Sequence, residues 1–506
     1  MSVANIARAG AGRLGENHKT DTCWYFFFTC TSLVTADTRP NHINPKLISI
    51  MARKKFIKSY TRRDILKAGT ASAIAVNFLP SCVFGANERL AVAGIGVGGK
   101  GGSDINGASK IGDVVALCDV DFNRGGGAAK NWPKAKRYSD YRKMLEDMGK
   151  SIDACTVSTP DHNHAPAAMR AMSQGIHVYV QKPLTHTVWE ARQMRLEAKK
   201  NKVCTQMGNQ GTASTGLREG VEAMQSGAIG EIKEVHVWTN RPVWPQAPGI
   251  TKRLPHQAGG SKNIDWNSFI GPAEMRPYNS GYHPFKWRGW WDFGTGALGD
   301  MACHTANLAY MGCQLTQPTW VEPITVGPIN PETYPAWAVI KMKFPGVKGR
   351  DSEVIFNWYE GKEKGKKKLP PAELFHGNRP ANSGSLVVGT KGIIYSPDDY
   401  GSRWKILPPA GGTKAPAYEK VKAWLPRNNR GDVGMKLEWA EAIKANKPEL
   451  ALSNFDYSAN LTEAILIGNI AMKVGEGFDW NAEKLTSSNK KATALATKEY
   501  RKGWEF

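Results

Sequence analysis

Gly94-Ile95-Gly96-Val97-Gly98-Gly99 sits where a phosphate-binding turn belongs, and its surroundings decide the fold. Before it, Arg89-Leu90-Ala91-Val92-Ala93 reads as a short buried strand; after it, residues 112–119 (GDVVALCD) read as a second strand ending in a carboxylate. Glycines 94, 96 and 99 fit G-x-G-x-x-G: one for the tight turn, one for backbone approach to a pyrophosphate, one for helix–strand packing. Asp119 lies 23 residues past Gly96, close to the ~20 expected of the acid that hydrogen-bonds an adenosine ribose. Strand, turn and acid in register predict a dinucleotide site on Gly94, Gly96, Gly99 and Asp119. Lys100-Gly101-Gly102-Ser103 makes a poor first helical turn, so the helix is expected to start late.

Outward from the turn, strand and helix alternate. Strands are expected at 89–95, 112–119, 152–158, 176–181 and 202–207, with helices near 139–148, 164–174 and 187–201. Thr187-Val-Trp-Glu190 is a capping box that opens the last of these. Such alternation implies a parallel sheet with right-handed crossovers. After about 215 a helix (216–226) precedes alternating runs at 232–238, 337–344, 352–359 and 385–395, the pattern of an antiparallel sheet with one face solvated; helices follow at 434–446 and 457–473. The expected fold class is α/β: a doubly wound parallel Rossmann sheet at 87–210, then an α+β domain at 211–506 with a large, mostly antiparallel open sheet. That sheet is the expected surface for homo-oligomer formation.

At 506 residues the chain is long for a single core. No apolar run reaches the ~18 residues of a membrane span. Residues 51–86 read differently: a basic start, then Thr61-Arg62-Arg63-Asp64-Ile65-Leu66-Lys67, then a small-residue apolar stretch. This resembles a twin-arginine export signal, which implies the twin-arginine translocase as a partner and a periplasmic destination. Residues 1–50 lack a coherent pattern, and Met51 is the expected true start. Leu79-Pro80-Ser81-Cys82 loosely resembles a lipoprotein box, which makes Cys82 a candidate lipid anchor. Residues 1–86 hold twelve Lys/Arg and four Asp/Glu, leaving +14 of the +22 net charge on the rest. A basic body suits anionic partners or solubility; with no recognised nucleic-acid motif, nucleic acid is not an expected partner. Beyond the leader stand five cysteines, an odd number; Cys118, Cys155 and Cys204 fall in strand-like runs and read as buried thiols.

Three further stretches carry the chemistry: Ser158-Thr159-Pro160-Asp161-His162-Asn163-His164, Val180-Gln181-Lys182-Pro183, and Gly294-Thr-Gly-Ala-Leu-Gly-Asp300-Met-Ala-Cys-His304. Together with the glycine turn they resemble the Gfo/Idh/MocA family, from about residue 88 to the C-terminus. A strand ending at Gln181 would deliver Lys182 to the carboxyl edge of the sheet, where such folds bind ligands. There its ammonium can hydrogen-bond a substrate hydroxyl and stabilise alkoxide character as hydride leaves. The family usually has Glu-Lys-Pro; here Gln181 replaces the acid. Asp300 and His304 stand at i and i+4 on one helix face, where a carboxylate can orient an imidazole and stabilise its protonated form. The resemblance implies that His304 accepts the hydroxyl proton while hydride passes to nicotinamide.

Ser158, Thr159 and Pro160 are expected to line the cofactor with Gln181 and Lys182, and His164 to stand near the helix start. His162 and His164 lack further ligands at metal spacing, so no metal is expected. Asn240, Arg241, Trp244, Tyr282, Trp287 and Arg288 offer stacking faces and donors for a sugar, or simply core packing. Asp119 would accept both ribose hydroxyls and repel a 2′-phosphate, so NAD is expected over NADP. The periplasm offers no large free nicotinamide pool to exchange with, so the cofactor is expected to be held tightly. The leading expectation is an NAD(P)-dependent oxidoreductase of a carbohydrate or polyol. The alternatives are a redox-neutral NAD-dependent glycosidase or lyase acting through a keto-sugar, and a non-catalytic sugar sensor. Retention of Lys182, Asp300 and His304 speaks against the sensor.

Overall fold

The structure, a computed structural model, describes residues 89–242, 249–260, 262–347, 350–428 and 430–506; the leader with Cys82, and Trp244, lie outside them. The first sheet is built of β1 (Leu90–Ile95), β2 (Gly112–Cys118), β3 (Lys136–Tyr138), β4 (Ala154–Val157), β5 (His177–Val180) and β6 (Thr205–Met207). All pairings are parallel in the order β3-β2-β1-β4-β5-β6. β4, Ala-Cys-Thr-Val, is buried at every residue, as a central strand covered on both faces must be. Strand order reverses on either side of β1, which opens a crevice at the carboxyl ends of β1 and β4.

The Val188–Lys200 helix opens with the expected capping box: Glu190 N donates to Thr187 Oγ1 (3.2 Å) and Thr187 N to Glu190 Oε2 (2.9 Å). Two local expectations are corrected. The first helix does not start late but runs Lys100–Ala108, directly from Gly99. A Cβ on Gly101 would lie 1.8 Å from the Gly96 carbonyl oxygen, so close packing onto the turn requires the residue that propensity penalises. A helix at Phe122–Asn131 and the short β3 were not anticipated. Three consecutive glycines, Gly125 to Gly127, hide that helix; Asp121 caps it by accepting from Asn123 N at 3.0 Å.

The second sheet contains β7 (Ile232–Thr239), β8 (Trp320–Val326), β9 (Trp337–Phe344), β10 (Val354–Glu363), β11 (Lys366–Lys367), β12 (Gly384–Gly389), β13 (Ile393–Ser396), β14 (Lys405–Leu407) and β15 (Phe478–Asp479). Its order is β14-β13-β12-β7-β10-β9-β8-β15, with β11 on β10. It is mostly antiparallel, but β7 and β10 at its centre run parallel, and the 385–395 run is a hairpin, β12 and β13. The Gly296–Thr305 and Phe455–Val474 helices pack on one face; bare Gly468 lets Leu298 and Met342 close over the latter. On the opposite face Trp337, Val339, Lys341 and Lys343 are half-buried.

The Gly431–Ala445 helix, expected among the second-domain elements, shares a core with the first sheet. Met435, Trp439 and Ala442 pack with Val92, Ile105, Leu117 and Tyr179. All five cysteines of the described chain are free and buried.

Candidate functional site

A cleft of about 320 Å³ lies at the carboxyl ends of the β1, β2, β4 and β5 strands. Gly96, Gly98, Gly99, Asp119, Ser158, Thr159, Pro160, Gln181 and Lys182 form one wall, and Phe285, Trp287, Arg288 and Asp300 the other. The expected register of the glycine motif is wrong by two residues. Gly94 pairs as part of β1, with Leu117 and Thr156 as partners, and does not reach the cleft. The turn itself is Gly96-Val97-Gly98-Gly99-Lys100-Gly101. Gly96 is left-handed at φ +74°, and a Cβ there would meet the Ser158 carbonyl at 2.7 Å. Gly101, not Gly99, makes the close helix contact.

A dinucleotide fits this wall. The Lys100–Ala108 helix has no side-chain cap and no acid in its first turn; Gly101 N donates to Gly98 O at 3.0 Å, and no side chain competes with a pyrophosphate for the other N–H groups of that turn. Asp119 Oδ2 accepts from Val97 N (2.8 Å) and Gly98 N (2.9 Å), and Oδ1 from Asp121 N (2.9 Å). The acid therefore pins the turn and keeps acceptor capacity on Oδ1 for a ribose hydroxyl.

Lys182 follows β5 and enters the cleft as expected. Its Nζ donates to Asp300 Oδ1 and to the Asp300 carbonyl oxygen, each at 2.7 Å. Arg288 Nε lies 3.5 Å from the same carboxylate oxygen, and its guanidinium sits 4.2 Å from the ring centroids of both Phe285 and Trp287. Burial would raise the Asp300 pKa, but Lys182 and then Arg288 outweigh it and hold the group at about 2. Asp300 thus serves the lysine. It makes no hydrogen bond to His304, and the expected carboxylate–imidazole pair is absent among the described contacts.

The expectation of a stabilised imidazolium is also corrected. Burial, then the Lys182 charge, push His304 down to about 3 against the pull of Asp300. The ring is neutral, its Nδ1 is buried with no hydrogen-bond partner among the described residues, and Tyr400 packs edge-on at 5.0 Å. His304 lies one helical turn beyond Asp300 and is not itself among the residues lining this cleft; of its two ring nitrogens only Nδ1 is sealed without a partner among the described residues.

His164 is a strut rather than a cofactor contact. Its Nδ1 lies 2.8 Å from the Pro183 carbonyl and its Nε2 2.9 Å from the Thr159 carbonyl, bridging the two cleft loops from behind. Burial pushes it down to about 4, and as a neutral ring it can donate to only one of the two carbonyls. His162 is sealed between the Phe269 and Phe293 carbonyls. Trp287 and Arg288 reach the cleft, but Tyr282 does not. It is fully buried against Trp290, with its hydroxyl accepting from Leu254 N at 2.9 Å. Asn240 and Arg241 follow the end of β7, bonded to each other and outside the cleft lining.

Sequence reasoning missed Asp161 as a cleft residue. It lines the cavity fully buried, and Thr295 Oγ1 donates to it at 2.7 Å. Burial raises its carboxyl to about 7 against that hydrogen bond and the Lys182 charge. Its place directly after Pro160, on a strand exit at the ligand edge, was the available signal.

A glycine turn at the switch point, an acid that pins that turn and a cleft lysine held by a carboxylate define a dinucleotide-binding fold of the Rossmann class. Comparison with known proteins makes this specific. Residues 89–209 match the oxidoreductase family GFO_IDH_MocA, NAD-binding Rossmann fold, and residues 241–363 its C-terminal alpha/beta domain. Over these two segments, just under half of the chain, it is similar to the Gfo/Idh/MocA oxidoreductases, and the first segment matches their NAD-binding fold. It is 29% identical over 126 residues to an inositol 2-dehydrogenase of Salmonella paratyphi B, covering 24% of this chain and 37% of that one. It is 31% identical over 156 residues to a glycosyl hydrolase family 109 protein of Solibacter usitatus, covering 26% and 35%. The chain thus spans little more than a third of either relative. In fold it is similar to the WlbA dehydrogenase of Bordetella pertussis, solved with NADH and UDP-GlcNAcA: TM-score 0.54 at 16% identity, covering 78% of this chain and 99% of that one.

Proposed function

We propose that this protein transfers hydride between a tightly held NAD and a hydroxyl of a sugar or polyol, with Lys182, Asp300 and His304 as its catalytic residues. The observation that carries the reading is Lys182 Nζ fixed on Asp300 in the cleft wall beside the glycine turn. NAD, when bound, supplies the hydride acceptor. Lys182 donates a hydrogen bond to the substrate oxygen and stabilises its developing negative charge. Asp300 holds the ammonium in place, and neutral His304 is in the protonation state that can accept a proton. Arg288, clamped between two aromatic rings, and Trp287 offer a donor and a stacking face to the sugar. Export by the twin-arginine route to the periplasm, and a homo-oligomer formed through the second sheet, belong to the same reading.

A redox-neutral glycosidase or lyase is the second reading. It is favoured by the family 109 glycosyl hydrolase relative and by Asp161, a cleft carboxyl half-protonated near pH 7, as an acid for a leaving oxygen needs. The test incubates the purified full chain with polyols, free sugars and aryl glycosides, with no acceptor added. Polyol-dependent reduction of bound NAD supports the first reading; glycoside cleavage without net reduction supports the second. No reaction with any of them refutes both.

A further inference from the structure

Asp104, on the first helix, is fully buried and has no part in the mechanism above. Its carboxylate accepts four hydrogen bonds. Lys100 Nζ (2.7 Å) and Lys436 Nζ (2.9 Å) bind Oδ1; Ser158 Oγ (2.9 Å) and Gln181 Nε2 (2.9 Å) bind Oδ2. Each donor comes from a different part of the site: Lys100 from the glycine turn, Ser158 from the β4 exit, Gln181 from the β5 exit, Lys436 from the Gly431–Ala445 helix. Asp432 accepts from both lysines, at 2.9 Å and 2.7 Å, so two carboxylates balance two ammoniums. The space is shaped for this arrangement. A Cβ on Gly208 would meet Gln181 Nε2 at 2.4 Å, and one on Gly107 would press on the Lys436 stem at 3.2 Å.

We propose that Asp104 is the positioning residue of the cofactor cleft and that it is the reason position 181 is glutamine. A carboxylate can only accept, so Asp104 orients the Gln181 amide with its nitrogen inward. The amide oxygen then faces the chain and accepts from Lys182 N at 3.2 Å. One buried anion thereby sets the loop that carries Lys182, while its other donors tie down the glycine turn and the β4 exit. Glutamate at 181 could accept from Lys182 N but could not donate to Asp104. It would place two carboxylates in contact in a buried site whose charges already balance. The inference rests on the cleft being the NAD site, and only its turnover arm depends on the proposed reaction.

The experiment compares Gln181→Glu, Asp104→Asn and the double variant in the full chain, with NADH as the probe, read by energy transfer from tryptophan. Gln181→Glu should weaken NADH binding at least tenfold at pH 8 and recover most of it by pH 5.5, as one of the two carboxylates takes a proton. The groups facing that pair are Lys100, Lys436, Asp432 and the Tyr179 ring, with Lys182 one residue on. Asp104→Asn should also lose affinity. The double variant restores one acceptor and one donor across the contact, and should bind within threefold of the parent without the pH dependence. With a polyol substrate, Gln181→Glu should lower kcat more than it raises KM, because Lys182 is displaced. Parent-like NADH binding by Gln181→Glu at pH 8, or a double variant no better than its singles, overturns the proposal. If Asp104→Asn does not fold, the Gln181→Glu pH profile and the rescue by the double variant still decide it. Absence of turnover on every polyol, with the binding pattern intact, would count against the proposed reaction alone.

Discussion

Replacing Lys182 by Met keeps the aliphatic stem and deletes the ammonium that Asp300 depends on. The neighbouring carboxyls set the scale. Asp161, buried in the same cleft and bonded only to a hydroxyl, stands at about 7, whereas Asp300, 2.7 Å from Lys182 Nζ, stands at about 2. A gap of that size corresponds to a ceiling of about 7 kcal/mol. Arg288, 3.5 Å from the Asp300 carboxylate, remains in the variant and takes over part of the compensation, so the loss should fall near the lower end of the ~3–5 kcal/mol typical of removing one partner of a buried pair.

The pH dependence fixes the sign. In the parent, Asp300 is held below its ordinary value, so its contribution is fully present above about pH 4 and lost only in stronger acid. In Lys182→Met, burial wins and the Asp300 pKa rises above its ordinary value. Stability of the variant is then lost as pH climbs through that raised value. The gap between parent and variant must therefore widen from pH 5 to pH 8. Urea unfolding followed by tryptophan fluorescence, without NAD, measures it. Lys182→Met/Asp300→Asn should recover at least ~1.5 kcal/mol relative to the sum of the single variants. A loss below ~1 kcal/mol at pH 8, or one that does not change with pH, would refute the reasoning that this pair is a buried, mutually dependent unit.

Gly101→Ala should abolish NADH binding or folding, because its Cβ would fall 1.8 Å from the Gly96 carbonyl; the nearest atoms to a Cβ on Gly94 are side-chain carbons of Val97 and Ile105, at 2.7 Å and beyond, so Gly94→Ala should be the milder change. The opposite ranking in an NADH titration would restore the register that begins at Gly94. Asp161→Asn should stabilise the protein at pH 8, by at most about 4 kcal/mol for a carboxyl lifted so far above its ordinary range, and leave it unchanged at pH 4. The raised carboxyl loses stability as pH rises through about 7, so an equal effect at both pH values would be inconsistent with it. NADH should bind more tightly than NADPH, because Asp119 keeps its free acceptor capacity beside the turn. Equal affinities, or a preference that survives Asp119→Ala, would assign the discrimination elsewhere.

Much of the first sheet was legible because its signals are local. Every strand expected between 89 and 207 is present within about three residues, and the Thr187 capping box is formed as read. The strand exit that carries Lys182 and the glycine-entered helix that carries Asp300 were legible in the same way, although Asp300 was paired there with His304. What failed was set by space rather than by neighbours in the chain. The helix at Lys100 exists because Gly101 must touch Gly96, and the Phe122–Asn131 helix survives three glycines because Asp121 caps it and Ala128 and Ala129 are buried in the core. Tyr282 looked like part of a sugar platform, and nothing in its local sequence tells that it closes an aromatic core with Trp290 and Phe293.

The carboxylates make the same point for chemistry. By spacing, Asp300 belongs to His304, four residues along the helix; by contact it belongs to Lys182, 118 residues away. Asp104 meets Lys436 across 332 residues, and through Gln181 it governs an amide orientation that a Glu-Lys-Pro reading would register only as a departure. A residue's role in such a cleft is defined by which donors reach it and how much water is excluded when they do. A lost motif letter therefore need not mean a lost function. Where the glutamate is missing, a buried acid from the neighbouring helix stands against the same loop, and the substitution and its partner have to be read together.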